Sequence, residues 1–369
     1  MINVFGSGTG GEEIESLTPS VMTGWMGMGA RVREFEARFA ERLGQSFLMV
    51  DSGSNALYMA MTLLNLPPGS PVILPAMTWV ACAQAVLLAG HKPVFADVNL
   101  QTQNIDAASI ERVITRDTKA IMVVHYAGKP VRMETLTQFG LPILEDSAHA
   151  VDSMLGGRRC GTLGDLAIYS FDSVKNLATP EGGGVTMKNP ALLERAKLLR
   201  YCGVGKSGFD SLGGKERWWE YDVREIFPKM LCNDICASIA LAQLGKLPAN
   251  QARRKQIWAT YQRELADVPW ITHPQDAAAD EVHSYWTYLI RVMDGRRDAL
   301  ANTLLERKIY TTFNYHPLHL KPIYGPPARK LPNCELLSEQ GLNLPLHPRL
   351  SDDDVAQVID AVKTFGRTR

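Results

Sequence analysis

The sequence predicts an α/β fold, a mostly parallel sheet wrapped by helices and followed by a smaller C-terminal α+β domain. Three observations carry this. Short apolar runs alternate with helix-length segments from Phe47 to Met187, the pattern of parallel strands joined through helices. Polar and reactive residues stand just after several of those runs, where ligands gather at the carboxyl edge of an open α/β sheet. Beyond residue 250 the alternation gives way to a long charged helix and separate strand-like and helical pieces, so we read residues 1–250 as the large domain and 251–369 as the smaller one.

Composition narrows the function. The 369 residues are 46% hydrophobic and 21% charged, with 39 basic and 39 acidic side chains. A chain without a basic surplus or a basic block is not built to bind nucleic acid or an anionic membrane generally. The start, MINVFGSGTGGEEIES, has acids and glycines where a secretory signal has bases and an apolar run, so a cytoplasmic protein is expected. Apolar stretches such as Ala81 to Ala89 are too short to span a bilayer. Six cysteines lie scattered, and Cys232 and Cys236, four apart, lack the C-x-x-C spacing of zinc knuckles. They read as reduced and mostly buried, with no metal site.

Taken in order, Gly6, Gly8 and Gly11 fit a G-x-G-x-x-G pattern, but the lead-in is too short for a strand, and Glu12 and Glu13 would face the phosphates. Val32, Phe35, Phe39 and Leu43 make one face of an amphipathic helix that Gly44 ends. A strand, Phe47 to Val50, leads into Ser52, Gly53, Ser54 and Asn55 and a helix from about Asn55 to Leu64. This turn is either an anion site at a helix N-terminus or a simple serine cap. Strands then alternate with helices: Pro71 to Leu74, Trp79 to Ala89, Pro93 to Phe95, Ile105 to Ile114, Ala120 to His125, Met133 to Phe139 and Pro142 to Leu144. Leu166 to Phe171 and Gly183 to Met187 are strands, and Ala191 to Leu199 is a helix. Gly203 to Ser207 looks like the end of a phosphate-binding loop, but Arg200 stands where that motif needs glycine. The polar, aromatic stretch from Lys206 to Phe227 lacks periodicity. A helix capped by Asn233 and Asp234 follows, then the charged helix Gln251 to Leu265. Tyr285 to Val292, Asp298 to Lys308 and Asp352 to Phe365 make up the smaller domain.

Between the strands Leu166 to Phe171 and Gly183 to Met187 lies SFDSVKNLATPEGGG, with Lys175 near its centre. A lysine in a tight connection between two strands is either a surface residue or a reactive amine on a rigid frame. Asp146 and His149 stand at another strand end, and Trp79 follows Pro75-Ala76-Met77-Thr78. A lysine, an aspartate, a phosphate turn and an aromatic ring are the parts needed to hold pyridoxal phosphate. The amine forms a Schiff base, the carboxylate keeps the pyridine nitrogen protonated, and the ring stacks.

These stretches resemble the DegT/DnrJ/EryC1/StrS family of sugar aminotransferases over essentially the whole chain. The matching pieces are GARVREFEARFAERLG, DSGSNAL, LPAMTWVACAQAV, PVFADVN, VVHYAG, ILEDSAHA, GTLGDLAIYSFDSVKNLATPEGGGV, NDICASIALAQL, FNYHPLHLKPIY and LPLHPRL. The resemblance implies the pyridoxal-phosphate-dependent transferase fold type I, with a seven-stranded-type sheet. It implies that Lys175 is the Schiff-base lysine, Asp146 the partner of the pyridine nitrogen, His149 a neighbour of the ring hydroxyl and Trp79 the stacking residue. Ser54, Asn55 and Ser170 are then phosphate ligands. Relatives that dehydrate sugars carry histidine at the lysine position, so Lys175 favours transamination. Many members have an asparagine reaching across a dimer to the phosphate where this chain has Lys229, Met230 and Leu231; Asn233 is the candidate replacement. Tyr315 and His316 fall in the segment that lines the sugar-nucleotide cleft, and Arg217 is a candidate contribution to a partner's site. The implied reaction moves an amino group from L-glutamate to a nucleotide-linked keto sugar, a 4-keto-6-deoxy hexose, in a cytoplasmic homodimer with shared sites, feeding polysaccharide or natural-product biosynthesis. The alternatives are a keto-cyclitol aminotransferase using glutamine and a non-catalytic, cofactor-binding regulatory relative.

Overall fold

The computed structural model describes residues 1–206 and 219–365. Its central element is a seven-stranded sheet of β1 (Ser46–Val50), β2 (Pro71–Pro75), β3 (Lys92–Ala96), β4 (Ala120–Val124), β5 (Ile143–Asp146), β6 (Leu166–Ser170) and β7 (Gly183–Met187). The order across the sheet is β1-β7-β6-β5-β4-β2-β3. Only β7 runs against the rest, pairing antiparallel with β1 and β6, while the other neighbours are parallel. The expected α/β class is therefore the observed one.

Alternation along each strand decides what its two faces meet. Leu48 and Val50 of β1, Ala120, Met122 and Val124 of β4, and Leu144 of β5 pack into one core with α3 (Gly53–Leu63), α4 (Val80–Leu88) and α6 (Leu192–Arg200). Ile121, Val123 and Ile143 face the opposite way, into a second core that includes Ile110 of the short α5 (Ala107–Glu111). Phe47 and Met49 enter a third core with Tyr169, Phe171 and the apolar face of α2 (Ala30–Leu43). Val32, Phe35 and Phe39 on that face are fully buried, each worth about 1.5–3 kcal/mol relative to exposure. Gly44, in the left-handed region at φ 70°, ends α2 as expected.

The N-terminal glycines start α1 (Gly11–Met22), where Glu13 accepts a hydrogen bond from the Gly10 amide at 2.6 Å. Of the two acids that argued against a nucleotide site, Glu13 thus caps a helix and Glu12 pairs with Lys246; the helix packs on α7 (Asp234–Glu264) through Ser20 and Ser238. Residues before α1 run into the C-terminal part of the molecule, where Ile2 pairs with Ile309 and Val4 accepts from the Leu346 amide. There β8 (Ile271–Thr272), β9 (Tyr288–Val292) and β10 (Gly341–Leu344) form an antiparallel sheet. It shares a core with Trp258 and Tyr261 of α7, with α8 (Arg297–Glu306) and with α10 (Asp352–Phe365). A further helix, α9 (Pro332–Gln340), packs its Cys334 and Leu337 against Leu289.

Local differences from the sequence reading have physical reasons. The segment expected as a helix over Met133 to Phe139 is two 3-10 turns, stopped by Gly140 in the left-handed region at φ 61°. The helix expected over Ile105 to Ile114 is only α5, which Asp106 caps and which stops before the β-branched run Val113-Ile114-Thr115. The two helices expected on either side of residue 250 are one. Helix α7 runs through Gly245 and Pro248, held by buried residues on both sides such as Leu241, Leu247 and Ile257. Among the described residues no helix is long and apolar enough to cross a membrane.

Candidate active site

The carboxyl ends of β4, β5 and β6 and the N-terminus of α3 open onto one cavity of about 410 Å³. Ser52 to Ser54, Val124, Asp146 and Ser170 reach it from strand ends and a helix start, and Lys175, Trp286 and Tyr315 from loops, which is why widely separated sequence positions converge. Ser52 caps α3 by accepting from the Asn55 amide at 3.2 Å. That cap takes the Asn55 amide, and the amides of Gly53 and Ser54 belong to the same first turn, a ready donor set for an anion. The fit of this helix end is close: a Cβ on Gly53 would lie 2.7 Å from that of Ser170, and one on Gly183 would lie 2.4 Å from the Ser52 carbonyl carbon. Glycine at both positions lets the start of α3 meet the ends of β6 and β7.

Lys175 sits on the loop after β6 and turns its amine into the cavity, 4.5 Å from the centre of the Trp286 indole. Burial lowers its pKa from the ordinary lysine value, and the charges of Asp146 and Asp172 oppose that shift. The Trp286 ring stacks on His149 with centroids 3.6 Å apart and planes within 5°. Burial, and then the nearby Lys175 charge, hold the pKa of His149 well below the usual histidine value. Its Nε2 meets the Tyr315 hydroxyl at 3.3 Å, whereas its buried Nδ1 has no partner. Tyr315 is half-buried, and desolvation pushes its phenol pKa up.

Asp146 closes the opposite side. Its Oδ1 accepts from the Ala148 amide at 2.9 Å and its Oδ2 from the Cys82 thiol at 3.1 Å, with Thr78 beyond the sulfur. Burial and then the Asp146 charge raise the thiol pKa, so Cys82 stays a neutral donor. At the mouth, Trp79 is 52% exposed and its ring centroid lies 5.6 Å from that of Tyr315.

These residues fit pyridoxal phosphate on structural grounds. A histidine with an unpartnered ring nitrogen, a carboxylate with only weak or single donors, a half-buried amine and the first turn of a helix all line one cavity. Lys175, Asp146, His149, Trp79, Ser54, Ser170 and Tyr315 are brought together as expected. Asn55 is not among the lining residues; its side chain donates to Asp51 at 2.8 Å. Asn233 is exposed at the start of α7 and accepts from the Cys236 amide, outside the cavity. His316 lies against Phe313 and Ser338. Arg217 falls outside the described residues. The sequence reading missed Trp286, Cys82 and Asn314. Nothing in HSYW marks Trp286, whose indole N–H reaches the Val174 carbonyl 112 positions away.

Comparison with known proteins gives concordant results. The model of the DegT/DnrJ/EryC1/StrS aminotransferase family matches residues 8–363. The chain is 40% identical over 368 residues to dTDP-4-dehydro-2,3,6-trideoxy-D-glucose 4-aminotransferase of Saccharopolyspora spinosa, covering 98% of this chain and 95% of that one. Among solved structures, the aminotransferase TlmJ of Streptoalloteichus hindustanus superposes with a TM-score of 0.93 at 38% identity, over 100% of this chain and 99% of that one. The candidate sugar aminotransferase Spr1654 of Streptococcus pneumoniae, in its PMP form, gives a TM-score of 0.93 at 28% identity over the same shares. A PLP form of that protein is also known.

Proposed function

The chain belongs to the DegT/DnrJ/EryC1/StrS aminotransferase family, and from that premise we propose that it moves an amino group from L-glutamate to a nucleotide-linked 4-keto-6-deoxy hexose. It is a sugar aminotransferase that depends on pyridoxal phosphate. The observation that carries the reading is the Lys175 amine, half-buried and within the field of Asp146, in the cavity that also receives the start of α3. A dTDP-4-keto sugar as acceptor is supported by the similarity to the Saccharopolyspora spinosa enzyme.

When bound, the cofactor supplies an electron sink for the carbon that gains or loses the amine. The residues of this chain do the rest. The Gly53 and Ser54 amides and the Ser54 and Ser170 hydroxyls hold the phosphate. Asp146 accepts the ring N–H and keeps it protonated, with Cys82 and the Ala148 amide fixing the carboxylate. His149, neutral because it is buried, would meet the ring hydroxyl of the bound cofactor, and Trp79 would supply the stacking ring. Lys175 Nζ, its pKa lowered by burial, takes the proton from the α-carbon of glutamate and delivers one to the sugar carbon. Tyr315 and His316 face the sugar nucleotide.

The same proposal includes a cytoplasmic homodimer with shared sites, in which Asn233, at an exposed helix start outside its own cavity, and Arg217 serve the partner. Six free cysteines suit a reducing compartment. The division near residue 250 also belongs to it, supported by one hydrophobic core whose buried residues all lie beyond that point.

The test is a spectroscopic titration. L-Glutamate is expected to bleach the visible band of the bound cofactor, and a dTDP-4-keto-6-deoxy hexose to restore it. A band that responds to no amino donor would sink the transaminase reading. Restoration by a keto-cyclitol but by no sugar nucleotide would replace the acceptor.

A further inference from the structure

The indole of Trp286 is held on every side. Phe5 stacks on it at 5.0 Å and 19°, and His149 stacks on it at 3.6 Å and 5°. Its Nε1 donates to the Val174 carbonyl at 2.9 Å, the residue next to Lys175. Its backbone amide donates to Ala127, and its carbonyl accepts from the Arg254 guanidinium at 3.2 Å. Arg254 is itself buried without an ion-pair partner among the described residues; its Nη1 also reaches the Tyr285 and Leu346 carbonyls. Burial lowers its pKa to about 9. A cation kept in such a place with only carbonyls for company fixes backbone. Phe5, in turn, belongs to the N-terminal segment that is stitched into the C-terminal region at Ile2 and Val4.

We propose that Trp286 is a positioning residue for the reactive lysine: clamped between Phe5 and His149 and tied to Val174, it sets where the Lys175 amine rests and favours its charged form. The inference rests on Lys175 being the reactive amine. Desolvation disfavours the ammonium, and the π face 4.5 Å away is the neutral group that favours it. The titratable groups facing Lys175 are Asp146 from β5, Asp172 from its own loop, Cys82 from α4 and His149 after β5. Of these the carboxylates act in the same direction as the indole, and a substitution at Trp286 leaves them in place. Through Phe5, the first residues of the chain thereby influence an amine far along the sequence, an arrangement that no local pattern announces.

The experiment uses the full chain freed of cofactor, so that the amine is read without turnover. Lysines are dimethylated with carbon-13 formaldehyde and a hydride donor, the Lys175 signal is assigned by its absence in Lys175→Arg, and its titration is followed by NMR. Relative to the wild type, Trp286→Leu keeps an apolar wall without a π face and is expected to lower the Lys175 midpoint by about half to one pH unit, the size of a cation–π contact at a partly exposed site. Trp286→Phe is expected to lie between, and Phe5→Leu to move the midpoint the same way by less. Should Trp286→Leu fail to fold by circular dichroism, the other two variants decide. An unchanged midpoint, or one that rises, overturns the proposal, since the indole would then act only as bulk. No sugar enters this measurement, so its failure leaves the proposed acceptor standing. A loss of all sugar amination with the titration order intact would sink the functional reading alone.

Discussion

Glu145 and Asp146 are neighbours on β5, and because successive side chains of a strand leave on opposite faces, they meet opposite conditions. Glu145 enters the side of the sheet that carries Ile143, where its oxygens accept from His125 Nε2 at 2.8 Å and from the amides of Gly161, Leu163 and Gly164 at 2.6–2.7 Å. His125 is equally committed, its Nδ1 accepting from the Val131 amide at 3.0 Å. Asp146, on the face of Leu144, holds one amide and one thiol and opens onto the cavity. His149, by contrast, keeps a buried nitrogen unpartnered. Both faces are rich in buried polar groups. What separates scaffold from site is saturation: a carboxylate with every lone pair taken holds a loop, and one with capacity to spare can hold a ligand.

Substitutions on the two faces should therefore fail in different ways. On the cavity side, Lys175→Ala is expected to lower the rate of amino transfer by roughly 10³-fold or more, as loss of a proton-moving group does. Its melting temperature should stay near that of the wild type; retained turnover would remove Lys175 from the mechanism. Asp146→Ala should behave alike, with weaker cofactor retention on gel filtration.

On the other face, Glu145→Ala leaves three amides and an imidazole N–H buried without an acceptor. A loss of about 3–5 kcal/mol in urea unfolding is expected. A fully stable variant would break the distinction. His149→Phe and His125→Phe form the next pair. The first preserves the stack on Trp286 and should cost activity by about tenfold with little change in stability; the second orphans Glu145 and should do the reverse.

The smallest effect is a pH dependence. His149, His283 and His347 are buried with pKa values lowered by that burial, the last to about 4. The unfolded chain binds protons near pH 6.5 where the folded one does not. Stability is therefore full above about pH 6.5 and falls as pH drops below it. For His347 the loss is complete near pH 4, once both states are protonated. His347→Gln should flatten the acid limb of a melting-temperature profile between those values.

The sheet and the cavity face were legible because they depend on local pattern. The strand β7 and the helix α10 show their full extent as apolar runs and amphipathic stripes. Lys175, Asp146 and the Ser52-Gly53-Ser54 turn stand at strand ends, where an open sheet collects chemistry. Trp286 was not legible. Its place in the site follows from the return of the C-terminal region across Val174 and Ala127, contacts far apart in sequence that no spacing encodes. Nor could the sequence distinguish Glu145 from Asp146 by hydrogen bonding, since the amides that saturate Glu145 come from a loop more than a dozen residues downstream. Helix α7, expected as two, runs unbroken through Pro248, where tertiary packing overrides the helix-breaking propensity of proline.

The most direct test of the central claim follows product rather than stability. The enzyme with pyridoxal phosphate and L-glutamate is incubated with a dTDP-4-keto-6-deoxy hexose, and amino sugar nucleotide and 2-oxoglutarate are quantified together by mass spectrometry. Equal amounts of both products from the wild type, and neither from Lys175→Ala, are the predicted result. Oxoglutarate without amino sugar, or amino sugar formed equally by Lys175→Ala, would contradict it.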